Sequence, residues 1–254
     1  MILTIDVGNS NSVLVLYDLD YNIHYSHRED TVKDSTPELI DQWIDLLIDP
    51  ILTQYKVDDF ALSCVVPSIA PVLIHSLQKK LKKSGFVLNM NEVDDFVVHL
   101  DHAQELGADL IATSFGAMRK FQMPCIIADL GSATKITVVN EKSEFASGLI
   151  LPGLKVAQLA MNAFIPHLPE IPLTFPKQLL GRDTIACMQA GLMYSNVDAI
   201  LGISQRIEKE LNQKCTKILT GGLSILIKDA LEEFNYEPNL LNEGLLYLYL
   251  KKHV

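Results

Sequence analysis

One short pattern occurs twice in this chain, once at its start and again near its middle. In each copy an apolar run ends in Asp, one apolar residue and Gly, and small polar residues then lead into a second β-rich run, at residues 1–11 and 125–135. Two ordinary hairpins with polar turns would explain a single copy, but a matched pair in the two halves of a chain indicates an internal repeat. The pattern therefore predicts two related half-domains.

Both turns have the composition of a phosphate-binding loop. Glycine and other small residues leave backbone N–H groups free to surround an anion. The carboxylate of Asp6 or Asp129 can hold a hydrated divalent cation beside that anion. The repeat therefore predicts a nucleotide held between the two half-domains.

The composition excludes several classes of function. The chain has 254 residues, 48% of them hydrophobic and 20% charged, and a net charge of −10. Because no basic stripe is present, we expect no nucleic-acid partner. No uncharged stretch is long enough to span a membrane, and the N-terminus has a strand pattern in place of a signal peptide. The four cysteines lack metal-ligand spacing, so we expect a soluble cytoplasmic protein without a membrane partner.

The order of strand and helix patterns predicts an α/β fold. In each half, three strand patterns precede alternating helices and strands, which is typical of a mixed sheet with helices on both faces. We expect a helix from Asp34 to about residue 49 that ends before Pro50. A proline-rich loop over 165–180 is expected to cover a site. Since no low-complexity linker separates the halves, we expect half-domains 1–115 and 116–254 packed around a cleft.

Seven motifs follow one another along nearly the whole chain. They are residues 6–11, 63–67, 105–109, 129–134, 147–153, 181–184 and 220–222. This ordered series resembles the type III pantothenate kinases of the actin/sugar-kinase/heat-shock-protein ATPase superfamily. The resemblance implies two ribonuclease-H-like (actin-like ATPase) half-domains with a nucleotide cleft between them. It also implies a homodimer with the substrate site at the subunit interface.

The resemblance assigns the nucleotide site mainly to the two turns. Asp6 is implied to bind the Mg²⁺ that accompanies ATP, and Asp129 to bind a monovalent cation, K⁺ or NH₄⁺. The turns are implied to contact the phosphates, and Gly221 to approach the adenine. On the residues alone, Asp6 could instead stabilise its own turn, and Gly221 could simply precede a helix. The implied nucleotide-binding residues are Asp6, Gly8, Asn9, Ser10, Asn11, Gly131, Ser132, Ala133, Thr134 and Gly221.

The acceptor site is implied to contain a general base. By resemblance Asp109 takes the proton from the attacking hydroxyl of pantothenate, although an Asp in the first turn of a helix can equally serve the helix dipole. Thr184 is implied to contact pantothenate from the partner subunit, and on the residues alone Asp183 or Thr184 could cap a helix there. The implied substrate-binding residues are Leu100, Gly107, Ala108, Gly153 and Thr184.

The chain departs from the family pattern at two positions near the chemistry. The family motif Gly-x-Asp-Arg here ends in Leu110, which removes a fork of donors. The second turn ends in Lys135 where the family usually has Thr. A lysine there could point outward along its strand, or it could place its ammonium near the phosphates or the monovalent-cation site and weaken or replace the need for that cation.

The resemblance implies ATP-dependent phosphorylation of pantothenate to 4′-phosphopantothenate, the first step of coenzyme A biosynthesis. Because the nucleotide turns are nearly intact while the acceptor pocket is altered, two alternatives stay open. One is a kinase of the same fold with a different small hydroxylated acceptor. The other is a nucleotide-binding regulatory protein that has lost turnover.

Overall fold

Two mixed five-stranded sheets form the framework of the protein. The computed structural model describes residues 1–33 and 36–253. The strands are Ile2–Val7 (β1), Asn11–Tyr17 (β2), Ile23–Asp30 (β3), Asp59–Cys64 (β4), Phe86–Val87 (β5), Cys125–Leu130 (β6), Ala133–Val139 (β7), Phe145–Pro152 (β8), Thr216–Thr220 (β9) and Asn235–Tyr236 (β10). The α-helices are Pro37–Gln54 (α1), Ala70–Leu81 (α2), Ala108–Lys120 (α3), Leu154–Phe164 (α4), Thr184–Leu211 (α5) and Leu240–His253 (α6).

The two sheets have the same topology. Their strand orders are β3-β2-β1-β4-β5 and β8-β7-β6-β9-β10. In each sheet the first three strands form an antiparallel meander, and the fourth and fifth add in parallel on the other side of the first. The internal repeat and the mixed α/β class that the sequence predicts are both confirmed.

The chain divides into two compact units. Unit 1 contains residues 1–96, 101–120 and 240–254, and unit 2 contains residues 97–100 and 121–239. Helix α6, which the sequence prediction placed in the second half with the rest of 116–254, thus belongs to unit 1. Its Asn242 side chain accepts a hydrogen bond of 2.9 Å from the buried hydroxyl of Thr4 in β1. Unit 1 therefore has helices on both faces of its sheet, with α1 and α2 in one apolar core and α3 and α6 opposite.

The predicted end of α1 is wrong. The helix continues through Pro50 to Gln54. Proline lacks the N–H that would bond to the carbonyl four residues earlier, and here that carbonyl belongs to the exposed Leu46. Buried Ile48 and Ile51 on either side of the proline anchor the last turns in the core. The predicted start at Asp34 lies outside the described residues.

Unit 2 has its apolar core where β6 and β7 meet α4 and α5. The predicted loop is present between these two helices, since no strand or helix occurs from residue 165 to 183. The helix expected after residues 221–222 is instead two short 3₁₀ turns, Ser224–Leu226 and Lys228–Ala230. Within the described ranges, no helix is both long enough and apolar enough to cross a membrane.

Helices α3 and α6 approach closely because each places a glycine against the backbone of the other. A Cβ on Gly116 would overlap the carbonyl oxygen of Leu240, and a Cβ on Gly244 would overlap that of Ala112. We expect Gly244→Ala to lower the free energy of unfolding by about 1–3 kcal/mol, because overpacking must push the helices apart. The urea midpoint of unfolding measures the change.

Gly202→Ala on α5 is the matched control, because a Cβ there would meet nothing within 4 Å. The gain in helix propensity should make this variant neutral or more stable by about 0.5–1 kcal/mol. Equal stability of the two variants would contradict the close approach of α3 and α6.

Candidate active site

The first turn fixes a carboxylate at the carboxyl end of β1. Asp6 lies opposite Val13 of the antiparallel strand β2 and beside Ser63 of the parallel strand β4. The fully buried Ser63 donates a hydrogen bond of 3.0 Å from its hydroxyl to Oδ1 of Asp6. This contact from the neighbouring strand orients a carboxylate that is itself only partly buried.

Thr31, the residue directly after β3, shapes the loop that follows Asp6. The backbone N–H of Thr31 donates to the carbonyl of Ser10 at 3.0 Å, and its hydroxyl donates to the carbonyl of Gly8 at 2.8 Å. The N–H of Gly8 in turn bonds the carbonyl of Asn11 at 3.0 Å. Sequence reasoning missed Thr31, because nothing in its local sequence connects it to a loop 20 residues earlier.

The side chain of Asn11 faces the neighbouring strand. Its amide donates to Asp30 at 2.8 Å and its oxygen accepts from Arg28 at 2.6 Å. The side chains of Asn9 and Ser10 are exposed at the turn. Of these three residues, Asn9 and Ser10 lie exposed at the turn, whereas the side chain of Asn11 bonds to β3 and supports the loop.

The carboxylate of Asp109 lies in the first turn of α3. Its Oδ1 accepts the N–H of Leu110 at 2.8 Å, and its carbonyl accepts the hydroxyl of Thr113. A Cβ on the preceding Gly107 would lie 3.7 Å from Val65, which follows β4 and bonds through its N–H to the carbonyl of Val7 at 3.0 Å. The structure therefore brings Asp6 and Asp109 to the same end of the sheet in unit 1.

A partly buried thiol lies near Asp6. Burial raises the pKa of Cys64, which ends β4, and the nearby Asp6 carboxylate raises that pKa further. The thiol donates a weak hydrogen bond to the carbonyl of Val66 at 3.8 Å. A raised pKa lowers the thiolate fraction and makes Cys64 a poor nucleophile.

The second turn, in unit 2, carries an ion pair. Asp129 of β6 lies directly opposite Lys135 of β7, and Nζ of Lys135 is 2.9 Å from Oδ2 of Asp129. Only 14% of the Asp129 side chain and 19% of the Lys135 side chain are exposed. Lys135 therefore does not point outward along its strand. Its ammonium lies against the carboxylate of the turn.

Two glycines pack against this turn. Gly221 has φ +90°, and a Cβ there would overlap the Asp129 carboxylate and the backbone of Leu130. A Cβ on Gly153 would overlap the carbonyl of Ser132. Neither position can carry a larger residue without moving the loop.

Thr134 differs from the other residues of its loop. It is 99% buried, and because strand residues alternate it faces away from Asp129 and Lys135. Within the described part of the chain, its hydroxyl has no hydrogen-bond partner. Its expected contact with phosphate is therefore less well supported than those of Gly131, Ser132 and Ala133.

A groove of about 750 Å³ runs along α4 and α5 of unit 2 and contains Thr184. Asp183 is the cap of α5, since its side chain accepts the N–H of Ala186 at 2.9 Å. Thr184 is consequently free of the capping role and lies exposed at the groove beside Arg182 and Gly181. Leu100, also of unit 2, is partly buried in a bend before the 3₁₀ turn Ala103–Glu105.

Sequence comparison decides the family. The family model described as type III pantothenate kinase matches residues 2–206. The chain belongs to the type III pantothenate kinase family. A type III pantothenate kinase of Exiguobacterium sp. is 32% identical over 251 residues, which cover 98% of each chain. That of Halalkalibacterium halodurans is 31% identical over 258 residues, which cover 100% of each chain.

Solved structures with low identity share the fold. Ethanolamine utilization protein EutJ from Carboxydothermus hydrogenoformans has a TM-score of 0.59 at 14% identity, covering 97% of this chain and 89% of its own. Inorganic polyphosphate/ATP-glucomannokinase from Arthrobacter sp. strain KM has a TM-score of 0.52 at 11% identity, covering 99% of both chains. The predicted actin-like fold class is confirmed, and this pantothenate kinase family member has the architecture of the sugar kinases.

Removing the hydroxyl that shapes the first loop should weaken the fold. In Thr31→Val the Gly8 carbonyl and the buried Ser12 hydroxyl each lose a partner, so the free energy of unfolding should fall by about 1–3 kcal/mol. We also expect a higher KM for ATP, because the loop is no longer held in place. Denaturant unfolding and steady-state kinetics measure the two effects.

Thr53→Val provides the matched comparison. The Thr53 hydroxyl also donates to a backbone carbonyl, that of Asp49, but on the exposed side of α1. A surface change of this kind should alter the stability by less than about 0.5 kcal/mol. If both variants behave alike, Thr31 does not support the loop.

Proposed function

We propose that this protein transfers the γ-phosphoryl group of ATP to pantothenate and forms 4′-phosphopantothenate, which begins coenzyme A biosynthesis in the cytoplasm. The observation that carries this proposal is the placement of Asp109 at the end of the sheet where Asp6 lies. A kinase of this kind needs a carboxylate for the nucleotide's metal ion and another for the acceptor hydroxyl. Membership of the family supports the same reading.

The nucleotide is bound by the two turns. Backbone N–H groups at the tips of the loops at 8–11 and 131–134 contact the phosphates, while those of Gly8 and Gly131 stay bonded inside their loops. Gly221 lets the chain come close to the adenosine. Beside the second turn only glycine fits at Gly153 and Gly221, because a Cβ on either would overlap the backbone of that turn. Such loops favour phosphate through many weak N–H donors without a large positive charge.

The residues around Asp6 fit a magnesium ion that is bound mainly through the nucleotide. Within the described residues, no group of three or more His, Cys, Asp or Glu side chains could hold a metal. Mg²⁺ in kinases is commonly held by one or two carboxylates together with phosphate oxygens and water. The partly buried, Ser63-oriented carboxylate of Asp6 meets that requirement. An ion held there would neutralise charge on the phosphates.

Asp109 orients the acceptor hydroxyl and receives its proton. A carboxylate is a weak base for an alcohol, so its main contribution is the position it gives the nucleophile. The Leu110 N–H on Oδ1 holds the carboxylate in place. Since Leu110 supplies no charge, a magnesium ion held at Asp6 would supply the positive charge beside the transferring group, and the loop N–H groups would supply hydrogen bonds. Leu100, Gly107, Ala108, Gly153 and Thr184 complete the acceptor site.

The protein works as a homodimer. Several large apolar side chains on α4, on α5 and in the segment between them are exposed, and exposed apolar side chains gathered on one part of a protein mark an interaction site. A second copy covering this surface would bring its own groove, with Thr184, to the interface. The exposed residues are Val156, Leu159, Phe164, Leu179, Leu180 and Ile185.

Asp109→Asn tests the proposed reaction. Phosphate transfer from ATP to pantothenate should fall by about 10²–10⁴-fold, because the amide cannot take the proton. The affinity for ATP, measured by calorimetry, should stay unchanged. Asp101→Asn, an exposed neighbour in the same segment, should keep full activity.

Absent transfer by the unaltered protein, with ATP still bound, would overturn pantothenate as the acceptor. A panel of other hydroxylated acceptors then distinguishes a kinase of altered specificity from a regulatory nucleotide-binding protein. Phosphate transfer that survives Asp109→Asn would instead show that Asp109 is not the general base.

Asp6→Asn tests the metal site. The amide keeps the size of the side chain but loses its charge, so the Mg²⁺ concentration for half-maximal activity should rise by about tenfold or more. A magnesium titration at fixed ATP measures this. Asp20→Asn, in the exposed β2–β3 turn, should titrate like the unaltered protein, and identical curves for all three would remove Asp6 from the metal site.

A further inference from the structure

The two repeated turns differ in charge although their backbones match. In unit 1 the residue opposite the turn carboxylate is Val13, and the contact to Asp6 comes from the neutral hydroxyl of Ser63. In unit 2 the corresponding residue is Lys135, whose ammonium lies on Asp129. The first turn thus presents a carboxylate that can attract a cation, whereas the second turn already contains a cation, the ammonium of Lys135.

The position of Lys135 is fixed by the sheet. Directly opposed residues of an antiparallel pair project to the same face with their side chains in contact. Lys135 is opposed to Asp129 on one side and to Ile150 of β8 on the other. An ammonium 2.9 Å from Oδ2 and mostly withdrawn from water is therefore held by the fold.

The residues at Asp129 do not fit a free monovalent cation. K⁺ or NH₄⁺ would have to bind against a carboxylate whose Oδ2 already contacts Lys135. On the opposite side Gly221 packs against the carboxylate, since a Cβ on Gly221 would overlap Oδ1. A second positive charge there would also be repelled by the ammonium.

We propose that Lys135 is a built-in counter-cation of Asp129, which takes the place of a free monovalent cation and makes the enzyme independent of potassium. An ammonium on a side chain has the charge of K⁺ or NH₄⁺, and its attachment to the chain keeps it at the site at every salt concentration. This inference rests on the proposed kinase activity only for its kinetic test. Lys135 acts on the turn through Asp129 and is a positioning residue.

The first test compares cations with the unaltered protein. Pantothenate phosphorylation is measured with magnesium and ATP in tetramethylammonium chloride, NaCl, KCl and NH₄Cl at equal ionic strength. We expect kcat/KM to agree within about twofold across the series, since the site already holds its charge. Strict dependence on added K⁺ or NH₄⁺ would overturn the proposal without any substitution.

The second test removes the ammonium. Lys135→Thr removes the ammonium from the mostly buried Asp129 carboxylate, and activity in tetramethylammonium chloride should fall by about tenfold or more. KCl or NH₄Cl should restore it, because the lost side chain leaves room for the free ion. Lys142→Thr, an exposed lysine in the β7–β8 turn of the same unit, should show neither loss nor rescue. A Lys135→Thr variant that loses activity and is not rescued by K⁺ contradicts the inference.

Thermal unfolding without substrates provides a readout that does not depend on activity. An ion that binds only the folded state raises Tm, so KCl should raise the Tm of Lys135→Thr more than NaCl at equal ionic strength. The unaltered protein should show no such difference. A K⁺-specific rise in the unaltered protein, or none in the variant, overturns the proposal. If no cation supports phosphate transfer to pantothenate, the proposed function fails while this measurement still decides the role of Lys135.

Discussion

Strand pairing around the first strand of each sheet is the constraint on which the rest of the site depends. β1 and β6 are each central, with an antiparallel partner on one side and a parallel partner on the other. The antiparallel pairing ends one residue after a carboxylate and leaves the next residues as a tight loop at the edge of the sheet. Neighbouring segments then contact each carboxylate: Ser63 contacts Asp6, and Lys135 and Gly221 pack against Asp129. A slip of one residue would turn both carboxylates to the opposite face.

Much of this arrangement could be predicted from the sequence because it depends on residues that are close together in the chain. The turns, the strand patterns and the order of motifs are all short-range signals, and the comparisons confirm the family and the fold class that they indicated. The role of Asp183 as a helix cap was equally local, since a side chain that accepts an N–H three residues on needs no tertiary context. The roles of individual site residues stay predictions.

What could not be predicted depends on distant parts of the chain. Thr31 supports its loop from the end of another strand, and the orientation of Lys135 follows from the register of the hairpin. Pro50 is tolerated inside α1 because the carbonyl it leaves unpaired belongs to an exposed residue while the core holds both flanks. In each case tertiary packing, which a local pattern does not contain, decided the outcome.

Helix α6 has a consequence for the way the chain folds during synthesis. The sheet of unit 1 is complete once β5 has been made, but the helix that covers one of its faces is encoded after the whole of unit 2. On the ribosome, α3 and the face of β1 that carries Thr4 must therefore wait for their partner until the second sheet has emerged. Synthesis of unit 1 therefore begins before that of unit 2 and ends after it. The folding of unit 1 cannot be completed before unit 2 has been synthesised.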